Sequence, residues 1–151
     1  MTEAAANIRR LFLDPKNTYS EAEAAEILNM EPLDLKRLME SGEVEGIRTC
    51  YGLTVSRKEL ISFAMDFWPQ EAIEEALGDE LTKGIPKLLR LARLEVRLPR
   101  FEILALERLA ERDCKSVDAV LARELLDVVS AESDYLAVEI AGFTSALRWP
   151  Q

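Results

Sequence analysis

The chain has 151 residues, 48% hydrophobic and 31% charged, with two cysteines, no histidine and a formal net charge of −9. That length suits one ordinary domain or two very small ones, and no apolar run approaches the roughly 20 residues needed to cross a bilayer. Two cysteines without histidine cannot supply the about four ligands of a zinc site, and the lack of histidine removes most acid–base and nucleophile-activation schemes. No metal, no cofactor and no enzymatic activity are therefore expected. Met1–Asn7 carries Glu3 and no apolar core, so a secretory leader is not expected and a cytoplasmic location is. Cys50 and Cys114 lie far apart in the sequence and read as structural thiols, a disulfide being disfavoured in a reducing compartment.

A helical lead-in over Ala4–Leu13 ends near Asp14-Pro15. Ser20 and Glu23 form the S-x-x-E capping-box pattern and predict a helix to Leu28, which Asn29 can stop by taking a positive φ. Pro32 suits the first turn of a second helix through Leu33, Leu35, Leu38 and Met39, ended by Gly42. The short spacing between these two helices is that of a helix-turn-helix. Two extended runs, Val44–Cys50 and Leu53–Val55, predict a small hairpin, and a third helix follows from about Ser56 to Phe67. Residues 69–92 are more polar and read as a linker with a short helix, giving a first domain of 1–68.

Within residues 93–130, Leu94, Val96 and Leu98 alternate with Arg93, Glu95 and Arg97, the period of a strand with two unlike faces. Pro99 stops it. A helix from Arg100 to Arg112, a turn at Asp113-Cys114-Lys115 and a second helix capped by Ser116 follow, with Val117, Leu121, Leu125 and Val128 at helical steps. The tail, 131–151, predicts a helix carrying Leu136, Ile140, Phe143 and Leu147, weakened by Gly142. Charge is uneven: between Lys87 and Arg100, five basic residues stand with Glu95 as the only acid.

The run YSEAEAAEILNMEPLDLKRLMESGEVEGIRTCYGLTVSRKELISF, residues 19–63, resembles the winged-helix domain of excisionase and MerR-type regulators. The resemblance implies DNA contacts from Lys36 and Arg37 on the second helix and from Arg48, Arg57 and Lys58 at the wing. Glu31, Asp34, Glu40, Glu43 and Glu45 nearby leave a protein-interaction role open as well.

The run RLEVRLPRFEILALERLAERDCKSVDAVLARELLDVV, residues 93–129, resembles the ribbon-helix-helix repressors of the MetJ/Arc/CopG superfamily. Two such chains pair their strands into one antiparallel ribbon over a shared core. The resemblance implies Val96, Leu98, Leu121 and Leu125 in that dimer core, with Arg93, Glu95 and Arg97 facing the major groove and Ser116 and Val117 at a phosphate. Cys114 stands at a turn position usually held by glycine, where positive φ costs a side chain about 1 kcal/mol.

The expectation is a mainly α protein, with a small winged helix-turn-helix domain, a ribbon-helix-helix dimerisation domain and a C-terminal helix. Its function is that of a homodimeric transcriptional repressor or regulator on a pseudo-palindromic double-stranded DNA operator. The alternative is an antitoxin-like interaction protein, in which the ribbon-helix-helix dimerises and the winged helix or the tail, with Tyr135, Phe143 and Trp149, holds a protein partner.

Overall fold

A computed structural model describes residues 1–150 of the chain; Gln151, the last residue of the expected tail, lies outside the described residues. The protein is mainly helical, with one small three-stranded antiparallel sheet. It divides into two compact units, Met1–Leu91 and Ala92–Trp149.

Helix α1 (Glu3–Leu13) opens the first unit. Ile8, Leu11 and Phe12 recur at helical spacing and are buried. Strand β1 (Thr18–Ser20) follows, without a strand signal in the sequence: three residues with one apolar side chain, Tyr19, carry no detectable period. Ser20 ends β1 and caps α2 (Glu21–Ile27), and the full capping box with Glu23 forms as its spacing predicts. Asn29 takes φ +52°. Helix α3 (Pro32–Ser41) starts on Pro32 and stops at Gly42, which is left-handed at φ +83°.

Strands β2 (Gly46–Thr49) and β3 (Gly52–Ser56) form the expected hairpin, and β3 is the central strand, in the order β1-β3-β2. Tyr19 pairs with Val55 and Ile47 with Thr54. A Cβ at Gly46 would meet the ends of the Met39 and Leu53 side chains, which would have to shift to admit it. Helix α4 (Arg57–Phe67) is capped by Ser56, whose hydroxyl accepts from Glu59 N at 3.2 Å.

The stretch 69–92 is no linker over most of its length. Helix α5 (Gln70–Leu77) packs on α1 and buries Ile73 and Leu77, and after α6 (Leu81–Gly84) Ile85 is buried too. Its acids, interleaved at the solvent face, conceal the apolar i, i+4 pair in a reading by composition. Arg9 holds the end of α5, donating to Ala76 O at 3.1 Å and Leu77 O at 3.2 Å. Glu74 Oε1 accepts from Leu91 N at 2.7 Å, which ties down the end of the unit.

In the second unit, residues 92–99 contain no helix, turn or bend and, among the described residues, no strand pairing within the chain. Helix α7 (Arg100–Asp113) ends at Cys114, left-handed at φ +52°, as expected from its place in the turn. Helix α8 (Val117–Ala131) begins at Ser116, whose hydroxyl accepts from Ala119 N at 3.1 Å. Asp113 fastens this corner, accepting from Arg112 at 2.8 Å and from Arg123 of α8 at 3.2 Å. The expected tail helix is two shorter ones, α9 (Ser133–Glu139) and α10 (Phe143–Leu147), because Gly142 between them takes φ +81°.

Candidate nucleic-acid interface

The second unit is open where a folded domain is usually closed. Among the described residues only two of its apolar side chains are buried, Ala110 and Val120. Val96 keeps 55% of its surface, Leu125 50% and Leu94 82%; Leu98 and Leu121 are half-buried. On α8, Val117, Leu121, Leu125 and Val128 form one side, and Ala122, Leu126 and Val129 form the next. A helix apolar over that much of its circumference belongs in an interior. A unit of fewer than about 60 residues is marginal even with a full core.

The arginines divide into two groups. Arg108, Arg112 and Arg123 are paired with Glu111, Asp113 and both Asp113 and Glu124, respectively. Among the described residues no carboxylate lies within 4.0 Å of the Arg93, Arg97 or Arg100 guanidinium. Arg93, Glu95 and Arg97 are all exposed. The free cations therefore stand on the same segment as exposed Leu94 and Val96. Ser116 is spent on its own helix, whereas the Val117 and Asp118 amides have no acceptor among the described residues. The Asp118 carboxylate sits in that first turn, against an incoming anion.

In the first unit, Lys36 and Arg37 are exposed on α3, and Arg37 reaches Asp34 at 3.5 Å. Arg48 is exposed on β2 and Lys58 in the first turn of α4. Arg57 corrects the expectation of a DNA contact. Its Nε donates to Leu11 O at 3.0 Å and its Nη2 to Phe12 O at 2.6 Å, so it closes the last turn of α1. Orphan carbonyls at a helix C-terminus attract a cation this way. Tyr51, between β2 and β3, is 96% exposed at the hairpin tip. No family model, curated protein or solved structure matches the chain.

Proposed function

We propose that the protein is a homodimeric, sequence-specific DNA-binding regulator. In this reading two copies pair their 93–98 segments into a ribbon that enters the major groove, and the first unit of each flanks it as a winged helix. The observation that carries the reading is the second unit's missing core. Two buried apolar side chains cannot offset the conformational entropy of ordering some tens of residues, at about 1–2 kcal/mol each. A second copy supplies the same open faces, so Val96, Leu98, Leu121 and Leu125 close a core built from both chains. That closure leaves Arg93 and Arg97 outward, and each arginine can read a guanine through two hydrogen bonds. The overall charge of −9 is compatible with binding because the unpaired cations are concentrated where the ribbon meets DNA.

The test is selection of duplexes from a randomised library, followed by gel shift of the enriched duplex at two salt concentrations. The reading requires an enriched sequence with two related half-sites, a steep salt slope and weaker binding by Arg97→Ala. Recovery of unenriched library, with no more affinity for duplex DNA than a neutral protein has, rejects it.

A second reading, a dimer whose tail holds a protein partner, is favoured by Tyr135 and Val138 on α9, which keep 64% and 84% of their surface. Pull-downs with and without residues 131–151 separate it from the first. Identical partner profiles remove the tail as a binding arm.

A further inference from the structure

We infer that residues 92–98 are a cleavage site for an arginine-directed endoprotease, open in the single chain and closed when two copies pair, so that the protein's lifetime follows its own concentration. The closing half of this device rests on the reading of the protein as a homodimer.

An endoprotease takes its substrate as an exposed, extended run whose backbone is free to pair with the walls of the cleft. Residues 92–98 supply one. Among the described residues their backbone N–H and C=O groups make no hydrogen bond, and every side chain from Ala92 to Arg97 is exposed. The run is held at both ends. Before it, Leu89 O accepts from Gln70 Nε2 at 2.5 Å, and the Leu91 amide donates to Glu74 Oε1 at 2.7 Å. After it, Pro99 O accepts from Glu102 N at 3.0 Å in the first turn of α7. A run fixed at both ends loses less freedom on entering a cleft than a free tail does.

The side chains select the protease. With no carboxylate within 4.0 Å among the described residues, the Arg93 and Arg97 guanidiniums are available to the acid at the base of an arginine-specific pocket. The bonds to be cut are Arg93–Leu94 and Arg97–Leu98. Each cut consumes one water: the arginine keeps the new carboxylate and the leucine takes the new ammonium group. The other basic residues are poorer sites. Most lie in helices, where the backbone is already hydrogen-bonded. Arg48 lies in the paired hairpin, Lys16 is engaged by Glu23, and Lys115 N donates to Ala110 O at 3.0 Å in the α7–α8 turn. Arg90 is half-buried, and the Leu91 amide after it is taken by Glu74. Either cut separates the first unit from α7 and α8, and a cut after Arg97 also divides the segment that pairs.

Pairing reverses the exposure. In an antiparallel ribbon the partner copy takes half of the segment's N–H and C=O groups, and a cleft cannot close around a chain with a second strand beside it. Where pairing and unpairing are fast relative to cutting, cleavage follows the population of the open form. By mass action, at a chain concentration about 100 times the dimer dissociation constant only roughly 7% of chains are unpaired, so each is cut roughly tenfold more slowly than in dilute solution.

The experiment digests the full-length protein with a fixed amount of trypsin over a concentration series and identifies the fragments by mass. Sedimentation equilibrium supplies the dissociation constant. The first fragments are expected to end at Arg93 and Arg97, and Arg93→Gln/Arg97→Gln is expected to lose them. The cutting rate per chain is expected to fall roughly tenfold across the series for the parent. Val96→Asp, run at the same concentrations, is expected to show no such fall, which controls for saturation of the protease. First cuts at other bonds overturn the inference outright. A parent that dimerises yet is cut as fast when paired, or an equal fall in Val96→Asp, overturns the masking while leaving the homodimer reading standing. A parent that is monomeric at every concentration overturns the homodimer reading itself, and the closing half of the device with it.

Discussion

Replacing Val96 by alanine tests the shared core at its most exposed point. Val96 retains 55% of its surface in the single chain. Full burial of a valine side chain is worth about 1.5–3 kcal/mol, so covering the remaining half yields roughly 1 kcal/mol per copy. Two-fold symmetry doubles this to about 2 kcal/mol, which corresponds to about a 30-fold change in the dimer dissociation constant. Alanine keeps the Cβ, so this figure is an upper bound for Val96→Ala. Val96→Asp, which would bury two like-charged carboxylates, should abolish the dimer. Ile47 on β2 provides a matched control: it is equally apolar and 53% exposed, and Ile47→Ala should leave association unchanged. Sedimentation equilibrium over a concentration series measures all four proteins. A parent that stays monomeric at every concentration refutes the reasoning, as does a Val96→Asp variant that dimerises like the parent.

Three further outcomes follow from local geometry. Arg57→Ala should destabilise the protein by about 2 kcal/mol in urea denaturation, since two hydrogen bonds from a charged donor to α1 carbonyls are lost; an unchanged midpoint would return Arg57 to the surface cations. The Lys16 ammonium and the Ser20 amide beside Glu23 hold its carboxyl well below the usual range, at about 2. Because the folded value is depressed, its contribution is complete above about 4.5 and is lost as pH falls towards 2. Glu23→Gln should therefore flatten the stability loss between neutral and acid pH, and superimposable acid-unfolding curves would contradict this. Cys114→Gly relieves a left-handed residue of a strain of about 1–2 kcal/mol, partly offset by glycine's greater unfolded freedom. A modest rise in melting temperature is expected, and a fall would show that the thiol or its Cβ contributes packing.

Signals that lie within a few residues were legible. Ser20 with Glu23, Asn29, Pro32, Gly42, Cys114 and Ser116 each mark an element boundary because their side chains or φ preferences act on the adjacent backbone. What escaped depends on distant partners. Strand β1 exists because Tyr19 lies opposite Val55, some tens of residues later. The 69–91 stretch joins the first unit because Ile73 and Leu77 find α1, a choice that their acidic neighbours mask. Arg57 reads as a wing cation until α1 presents its carbonyls. Tyr51 carries no sequence signal beyond its turn, and only its exposure singles it out. In the candidate site, the alternation of Leu94, Val96 and Leu98 with charged residues was visible in the sequence. Among the described residues that segment finds no strand partner within the chain, so the alternation forms no strand in a single copy.

The most direct test of the shared core is an isotope-filtered NMR experiment on a mixed sample in which only half of the chains are labelled. The account predicts nuclear Overhauser contacts between chains that join residues 93–98 of one copy to the same segment of the other. A monomeric chain with this segment unprotected, or a dimer whose contacts between chains avoid Val96 altogether, would contradict it.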